Sequence, residues 1–314
     1  MNTENFKRFL ELQGRRVIAS ESGYWYDAGG GIYLSIPYTR TITPEPTEMA
    51  RLFRRHRMLG VKYSTADRTR GRPGAIYLVR DRAYGLHSLK SSARGSVQKG
   101  LARCTVREVD FDYLHQHGPR LNRDTLARQA RDDRFFSDPA RWARLCWAGQ
   151  QTEGASAWGA FVGEELAAYM ICFLIDGCCN VLHEMSRTDL REYFANNALQ
   201  YSVILQMIGR SGVHCVSAGL EPIIEIPGLD RFKRYAGYEK VPCNYVVTLH
   251  PLASSLLLSR PMWGLLCAAR RRFPQHDVLK RVHSIVDMAR LSQSPRALES
   301  CENPTAETSE VQNG

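Results

Sequence analysis

Long apolar segments are missing from this sequence. No apolar run reaches the about 20 residues that a membrane-spanning helix needs. Residues 1–16 are polar and charged, without the apolar core of a signal peptide. We therefore expect neither a spanning helix nor a signal peptide. The expected location is the cytoplasm, either free or peripheral to the inner face of the membrane.

Paired cysteine motifs are missing as well. The sequence has nine cysteines but no Cys-x-x-Cys pair, and Cys172, Cys215 and Cys267 stand in apolar surroundings. Buried, reduced thiols are the simplest interpretation, and they favour a cytoplasmic setting. Cys178 and Cys179 fall on a predicted turn where they could bind a metal. No nearby histidine has finger-type spacing, so no metal site is predicted.

Acidic residues are few relative to basic ones. The chain carries 42 Lys and Arg against 32 Asp and Glu, a formal charge of +10. Such a balance suits an anionic partner, which could be phosphate, an acidic lipid surface or nucleic acid. It does not choose among them, and a generally basic surface explains it equally well. The excess is most evident in residues 67–107, where Arg and Lys are many and acids few.

The N-terminal half predicts short strands and helices. Gly29–Gly31 lies between strand-like segments and could cradle a phosphate, but no GK[ST] follows, so a hairpin loop is predicted. Apolar periodicity predicts a helix or arm over 1–16, helices over 44–56, 90–103, 121–130 and 138–150, and extended segments over 61–64, 75–79, 84–89 and 104–109.

The clearest pattern lies between Trp158 and His250. Two apolar runs within residues 158–175 flank Gly163–Glu165, which is typical of a β-hairpin. The pattern then predicts a strand over 180–186, a helix over 194–208, a strand over 213–217, a helix over 229–237 that ends at a glycine, and a strand over 241–249.

This order of elements resembles the second half of the GNAT acyltransferase fold. The segment Leu229-x-x-Phe232-Lys233-x-x-x-Gly237-Tyr238 is similar to that of FemAB-type peptidyl and aminoacyl transferases, where a Phe-Lys pair precedes a Gly-aromatic turn. The resemblance implies an α+β fold, with a GNAT-like mixed sheet flanked by helices. It also allows two tandem GNAT-like lobes, the first of them degenerate.

The resemblance suggests a division of the chain into four parts. Residues 1–103 would be the degenerate N-terminal lobe and 104–251 the acyltransferase lobe. C-terminal helices are predicted over 252–291, and residues 292–314, polar and without aromatics, are expected to be disordered. The apolar stretch 252–273 ends in three arginines. It is either a packing helix with a charged end or an element that contacts a membrane surface.

The resemblance further implies a catalytic strand. In a GNAT lobe the third strand of this block separates from the next strand, and the gap holds the extended arm of the acyl donor. Glu184 is the first candidate for the base that takes the ammonium proton, and His183 is the second. The alternative is a strand residue that is bonded into the core or faces solvent. Alternation places His183 on one face with Val181 and Met185, and Glu184 on the other.

Donor binding is implied for the helix start that follows. CoA-using GNAT proteins usually carry a Gly-rich turn there, whose N–H groups bind pyrophosphate, but the corresponding segment here has no glycine. Arg187 and Arg191 are candidates for phosphate binding, with surface charge as the alternative, and Asn196 and Asn197 are candidates for orienting the donor. The co-substrate is then acyl-CoA, an acyl-carrier protein or aminoacyl-tRNA. Residues 67–107 could form a rim for a phosphorylated or RNA-linked donor.

Substrate-binding candidates lie near the end of the block. Lys233 stands where many GNAT enzymes place the Tyr that protonates a leaving thiolate. It could bind phosphate or steady an oxyanion, or it could be a salt-bridged surface residue. Tyr235 is a substrate-binding candidate without that acid role. Glu221 and Glu225, in the loop that would border the acceptor cleft, could bind an ammonium group or be solvated loop acids.

The predicted function is therefore N-acyl transfer. An acyl or aminoacyl group would move from a thioester or ester donor to an amine acceptor by direct attack in a ternary complex. The alternative is a catalytically inactive GNAT-like module that binds an anionic partner, either nucleic acid or a membrane surface.

Overall fold

One mixed sheet of eleven strands organises the chain. The computed structural model describes residues 3–129, 133–222 and 228–293. The strands are β1 Val17–Ala19, β2 Tyr24–Asp27, β3 Ile32–Ile36, β4 Gly60–Thr65, β5 Arg72–Val79, β6 Thr105–Val109, β7 Ala155–Val162, β8 Glu165–Ile175, β9 Cys178–Ser186, β10 Cys215–Leu220 and β11 Glu239–Leu249. The α-helices are α1 Thr3–Leu12, α2 Pro46–Arg55, α3 Ser91–Arg103, α4 Phe111–Arg128, α5 Arg134–Ser137, α6 Pro139–Gln150, α7 Ala195–Gly209, α8 Leu229–Tyr235, α9 Pro251–Leu257, α10 Arg260–Arg272 and α11 Asp277–Gln293.

The sheet interleaves strands from both halves of the chain. Its order is β1-β2-β3-β4-β11-β5-β10-β9-β8-β7-β6. β11 pairs antiparallel with both β4 and β5, and β5 in turn pairs antiparallel with β10. Strands from before and after residue 104 therefore form one continuous sheet. The division into lobes at that residue stays a prediction.

Helices cover both faces of the sheet. One face carries α2, α3, α7 and α8, and its main core packs Leu199, Val203 and Ile204 of α7 against Met170 and Cys172 of β8, all fully buried. The other face carries α1, α4, α6 and α11. Burial on both faces explains why β8 reads as one continuous apolar run.

Tight turns produce the β7–β8–β9 meander. Gly163 has a φ of +57° in the first turn, and Asp176 and Gly177 have φ values of +46° and +75° in the second. These left-handed conformations are the ones that two-residue hairpins require, and glycine adopts them without a steric penalty. The predicted hairpin around Gly163 is confirmed, and so is the hairpin loop predicted at Gly29–Gly31 between β2 and β3.

The helix α4 is longer than predicted, with 18 residues where the prediction covers 121–130. Its N-cap is Asp110, whose carboxylate accepts a hydrogen bond from the Tyr113 N–H at 2.6 Å. Gly118 and Pro119 lie inside the helix, and their low helix propensity hides its first half in the sequence. A glycine is needed at position 118 because a Cβ there would lie 2.5 Å from the Trp142 ring.

Smaller elements differ from prediction at three places. Residues 84–89, predicted to be extended, contain the 3₁₀ turn Leu86–Ser88. Cys178 and Cys179 lie in β9 and not on a turn. Helix α11 continues to Gln293, past the predicted end at residue 291. Residues 294–314, which make up nearly all of the predicted disordered tail, lie outside the described residues.

Candidate active site

The strands β9 and β10 begin as neighbours and then separate. They pair in parallel at Cys178–Asn180 and Cys215–Ser217. Beyond Asn180, β9 stays paired only with β8, and beyond Ser217, β10 stays paired only with β5. A slot therefore opens between the carboxyl-terminal halves of the two strands, and the predicted divergence is confirmed. Separated strands leave backbone donors and acceptors that an extended ligand can pair with.

A β-bulge sits in β9 beside the slot. Val181 pairs with Cys172 and His183 pairs with Ile171, so Leu182 has no direct partner. Because neighbouring residues of β8 point to opposite faces, the bulge places Val181 and His183 on opposite faces as well. The prediction that these two share a face is wrong for this reason.

The bulge also separates the two candidate bases. His183 packs against Phe136, with ring centroids 4.7 Å apart, on the face of α4 and α6. Glu184 pairs with Met170, which belongs to the core of the opposite face. The structure therefore does not bring His183 and Glu184 into one cluster.

Glu184 and Lys233 form the ionisable pair of the slot. Burial raises the pKa of the Glu184 carboxyl to about 7, and the Lys233 ammonium opposes that rise. Burial also lowers the pKa of Lys233 to about 8, opposed first by Glu184. Both groups thus change protonation state near neutral pH, where a proton-transfer group is most effective.

Contacts from two neighbouring strands hold Lys233 in place. Its Nζ donates a hydrogen bond to the Ala218 carbonyl at 2.8 Å and lies 4.3 Å from the centre of the Tyr77 ring. Ala218 is the first residue of β10 beyond the paired segment, so Lys233 satisfies a carbonyl that the separation leaves open. The alternative of a salt-bridged surface residue does not fit, because Lys233 is buried and its ammonium bonds to backbone.

Unpartnered polar atoms collect around the slot. Within the three described ranges, the buried side-chain atoms without a hydrogen-bond partner are Asn180 Oδ1, Glu184 Oε1, Asn196 Oδ1 and Tyr238 Oη. Two of them lie on β9, one is in the first turn of α7 and one follows α8. Buried polar atoms without partners are uncommon and costly, so their grouping here indicates a place where a ligand completes the hydrogen bonding.

A cavity of about 350 Å³ lies between the end of β9 and the start of α7. Arg191, Asn196 and Asn197, the candidates for donor binding, line it together with Arg128. Sequence analysis missed Arg128, because it lies on α4, far from the block in sequence. Arg128 donates hydrogen bonds to the Ser186 carbonyl and to the Ser186 and Thr188 hydroxyls at 2.8–3.2 Å.

The start of α7 achieves its tight turn without a glycine. Phe194 adopts the left-handed conformation with φ +57° and leads into the first turn of the helix. The close approach is provided from α3, where a Cβ on Gly100 would lie 2.7 Å from the Phe194 carbonyl oxygen. Gly100 thus allows α3 to pack closely against the start of α7.

Arg187 lines the same cavity but has protein partners. Its guanidinium forms a bidentate pair with Asp189 at 2.9 and 2.6 Å and contacts Glu165 at 3.0 Å. The Asp189 hydrogen bond is the main cause of a raised pKa for Arg187. Two carboxylates neutralise this side chain, so its position indicates a role in holding the end of β9.

A larger cleft of about 620 Å³ lies between α3, α7 and α8. It shares Asn197 and Phe232 with the cavity at the start of α7, so the two are contiguous. Gln200, only 4% exposed, lines the cleft, and its amide makes no hydrogen bond among the described residues. The predicted substrate-binding residue Tyr235 lies at the rim with Arg231.

A third cavity, of about 360 Å³, opens on the opposite face of the sheet. Asn180–His183 of β9 and Ala218–Leu220 of β10 line it, so this cavity is the other side of the slot. Its walls are Tyr26, Tyr38 and Arg15, and the Arg15 guanidinium lies 5.6 Å from the Tyr26 ring centre.

Of the two acids predicted in the loop before α8, the structure describes Glu221. Glu221 accepts a hydrogen bond from Lys240 Nζ at 2.5 Å and is ion-paired with it. It also contributes to the electrostatic field that opposes the lowered pKa of Lys233. Glu225 lies outside the described residues.

A disulfide closes the paired end of the slot. Cys178 and Cys215, directly opposite each other in the parallel register of β9 and β10, are bonded. The expectation of a reduced thiol at Cys215 is therefore wrong. The register that places Cys215 opposite Cys178 depends on strand pairing and is not evident from the surroundings of each cysteine in the sequence. Cys172 is buried and free, as expected, and Cys267 is free and half-buried.

Comparisons with solved structures identify the fold. No protein-family model and no curated protein matches the sequence. Structures with similar folds include the C-terminal domain assigned to a lysylphosphatidylglycerol synthetase of Agrobacterium fabrum, with a TM-score of 0.55 and 13% identity over 86% of this chain and 97% of that one. FemX matches with a TM-score of 0.55 and 11% identity over 80% of this chain and 93% of FemX. L-PGS from Bacillus licheniformis matches with a TM-score of 0.54 and 11% identity over 93% and 97%. The chain thus has the predicted GNAT-like α+β fold, in the form that FemX and these synthetase domains share.

Proposed function

We propose that the protein transfers an acyl or aminoacyl group from a thioester or ester donor to an amine acceptor. The observation that supports this most is the slot between β9 and β10, with unpartnered polar atoms on its walls and the Glu184–Lys233 pair beside it. A simple binding surface would not need two ionisable groups, Lys233 buried and Glu184 half-buried, with pKa values near neutrality.

Glu184 acts as the base in this proposal. The acceptor arrives as an ammonium ion and gives one proton to the Glu184 carboxylate. The free amine then attacks the donor carbonyl, and a C–N bond forms as the carbonyl oxygen becomes an oxyanion. The Lys233 ammonium stabilises that charge. When the intermediate collapses, the bond from carbon to the donor's sulfur or oxygen breaks, and the nitrogen's second proton goes to the leaving group.

The cavity at the start of α7 receives the donor's phosphate. Arg128 and Arg191 supply positive charge, and the first turn of α7 supplies N–H groups and the positive end of the helix dipole. The contiguous 620 Å³ cleft takes the next part of the donor, where Gln200 can form hydrogen bonds. The volume and hydrogen-bonding capacity suit acyl-CoA, an acyl-carrier protein arm or the end of an aminoacyl-tRNA.

The cavity on the other face receives the acceptor. It meets the slot along β9 and β10, and Asn180 Oδ1 offers an unused hydrogen-bond acceptor to an ammonium or amide N–H. Direct attack then takes place within the slot, with donor and acceptor bound from opposite faces. His183 lines this second cavity and remains the second candidate for the base.

Native mass spectrometry of the purified chain tests the donor assignment. We expect a co-purifying or added acyl-CoA, acyl-carrier protein or aminoacyl-tRNA to bind, and Arg128→Ala with Arg191→Ala to weaken it at least tenfold. Arg80→Ala with Arg82→Ala is the matched control, because both side chains are exposed and neither lines the three cavities described here. Equal loss in the control pair, or binding of RNA of any sequence without turnover, would support the non-enzymatic alternative.

A further inference from the structure

The helix pair α9–α10 exposes an apolar surface. Neither helix has a buried residue. Leu252 and Leu265 are 78% and 65% exposed, and Leu256 and Phe273 are more than half exposed. On α10 the outward residues Pro261, Gly264, Leu265 and Ala268 follow helical spacing, and none of them is polar. A solvated helix places polar side chains on such a face.

Basic residues without acids flank this surface. Between Pro251 and His276 the chain has four arginines and no Asp or Glu. Arg271 and Arg272 are exposed at the end of α10, next to Phe273. We call the exposed side chains Leu252, Leu256, Leu265, Phe273, Arg271 and Arg272 the C-terminal surface.

The inner side of the pair is fixed to the protein. Trp263 of α10 packs against His283, with ring centroids 4.8 Å apart, and lies 4.9 Å from the Arg290 guanidinium. Arg290 also donates a hydrogen bond to the Leu258 carbonyl at 3.0 Å. The C-terminal surface is therefore held outward by α11, whose Val286 and Met288 are buried.

We infer that the C-terminal surface docks on an anionic lipid bilayer. Leucine and phenylalanine side chains enter the boundary between headgroups and acyl chains, while arginines bind lipid phosphates. No single helix in the described ranges is long and apolar enough to cross a membrane; α9 and α10 meet that requirement only together, as a pair bent by 65°. Because Trp263 and the Leu258 carbonyl hold the pair against α11, we place it in the interface plane. A nucleic acid would use the arginines and leave the leucines in water.

The topology gives this docking a direction. Strands β9, β10 and β11 run parallel, because β10 and β11 are both antiparallel to β5. The open end of the slot and the start of α9 therefore lie at the same edge of the sheet. Docking would bring the slot toward the bilayer. The inference does not depend on the proposed transferase activity.

Vesicle sedimentation with the full chain tests the inference. We expect it to sediment with vesicles of phosphatidylcholine and phosphatidylglycerol at 7:3, and not with phosphatidylcholine alone. The pair Leu256→Glu and Leu265→Glu should lower the partition coefficient at least tenfold. Arg271→Gln and Arg272→Gln together should lower it about tenfold at physiological ionic strength and flatten its salt dependence.

Leu205→Glu is the control, because Leu205 is an exposed leucine on α7 outside the C-terminal surface. It should bind vesicles like the unmodified chain, and all variants should keep its melting temperature. Failure of the unmodified chain to sediment with anionic vesicles would overturn the inference. So would unchanged binding by the double glutamate variant, or an equal loss in Leu205→Glu. Light scattering that shows a dimer, converted to monomers by the glutamates without any vesicle binding, would assign the surface to self-association instead.

Discussion

Lys233 donates a hydrogen bond from its ammonium to the carbonyl of Ala218, the residue at which β10 leaves β9. The same ammonium lowers the energy of the Glu184 carboxylate. One side chain thus supports the open backbone of the slot and tunes the proposed base. Burial is the main cause of both pKa shifts. The protonation of the pair therefore changes most between pH 7 and 8, where the two pKa values lie.

Glu184→Gln should abolish most of the turnover. The amide keeps the shape of the side chain but cannot take a proton, so we expect kcat to fall by about 10²–10⁴-fold. In the unmodified chain, kcat/KM should rise with pH through about 7 as Glu184 ionises. Glu164→Gln, in the exposed β7–β8 turn, is the control and should leave the rate unchanged. A His183→Ala variant that loses activity, beside a fully active Glu184→Gln, would move the base to the other face.

Glu184→Gln should also stabilise the fold above neutral pH. The folded-state pKa of Glu184 is raised, so its protonated form stabilises the fold at low pH, and that contribution is lost as pH rises through about 7. Relative to the unmodified chain, Glu184→Gln should gain about 2 kcal/mol of unfolding free energy between pH 5 and pH 8. Urea denaturation at both pH values measures the difference. A gain of the same size in Glu164→Gln would contradict the assignment.

Lys233→Met should lower activity about 100-fold by removing the charge that steadies the oxyanion. Burial places the pKa of Lys233 at about 8, so activity in the unmodified chain should decline as pH rises above that value. Lys233→Arg should retain part of the rate and move the decline to higher pH, because a guanidinium stays charged. Lys90→Met, at an exposed position, is the control. An unchanged alkaline limb in Lys233→Arg would show that another group titrates there.

Two arginines near the donor cavity should respond differently. Arg191→Ala should raise the KM for the donor about tenfold with little change in melting temperature, because Arg191 is exposed and would contact phosphate. Arg187→Ala should instead lower the unfolding free energy by about 1–2 kcal/mol, since it removes the buried guanidinium that pairs with Asp189 and Glu165. Donor titrations and thermal melts separate the two effects. The opposite pattern would assign phosphate binding to Arg187.

The order of elements from β7 to β11 could be predicted from the sequence because its signals are local. Gly163 indicates a hairpin turn, Gly237 follows the end of a helix, and the continuous apolar sequence of β8 indicates a central strand. The separation of β9 from β10 came from the family resemblance and is confirmed by the register.

Other features depend on contacts between distant segments. The bulge at Leu182 arises from the pairing of β9 with β8. A prediction that assumes strict alternation along β9 therefore places His183 on the same face as Val181, which is wrong. The Cys178–Cys215 disulfide follows from a parallel register across 37 residues, which no spacing rule reveals. Arg128 lies within the predicted helix 121–130, but only the packing of α4 against the end of β9 brings it to the cavity at the start of α7.

A donor screen tests the central claim most directly. The full chain is incubated with labelled acyl-CoA, acyl-carrier protein and aminoacyl-tRNA plus a panel of amines, and amide formation is measured beside Glu184→Gln, His183→Ala and Lys233→Ala. We predict an amide product from one donor class, lost in Glu184→Gln and strongly reduced in Lys233→Ala. Full rates in all three variants would contradict the site, and no amide from any donor class would contradict the proposed transfer itself.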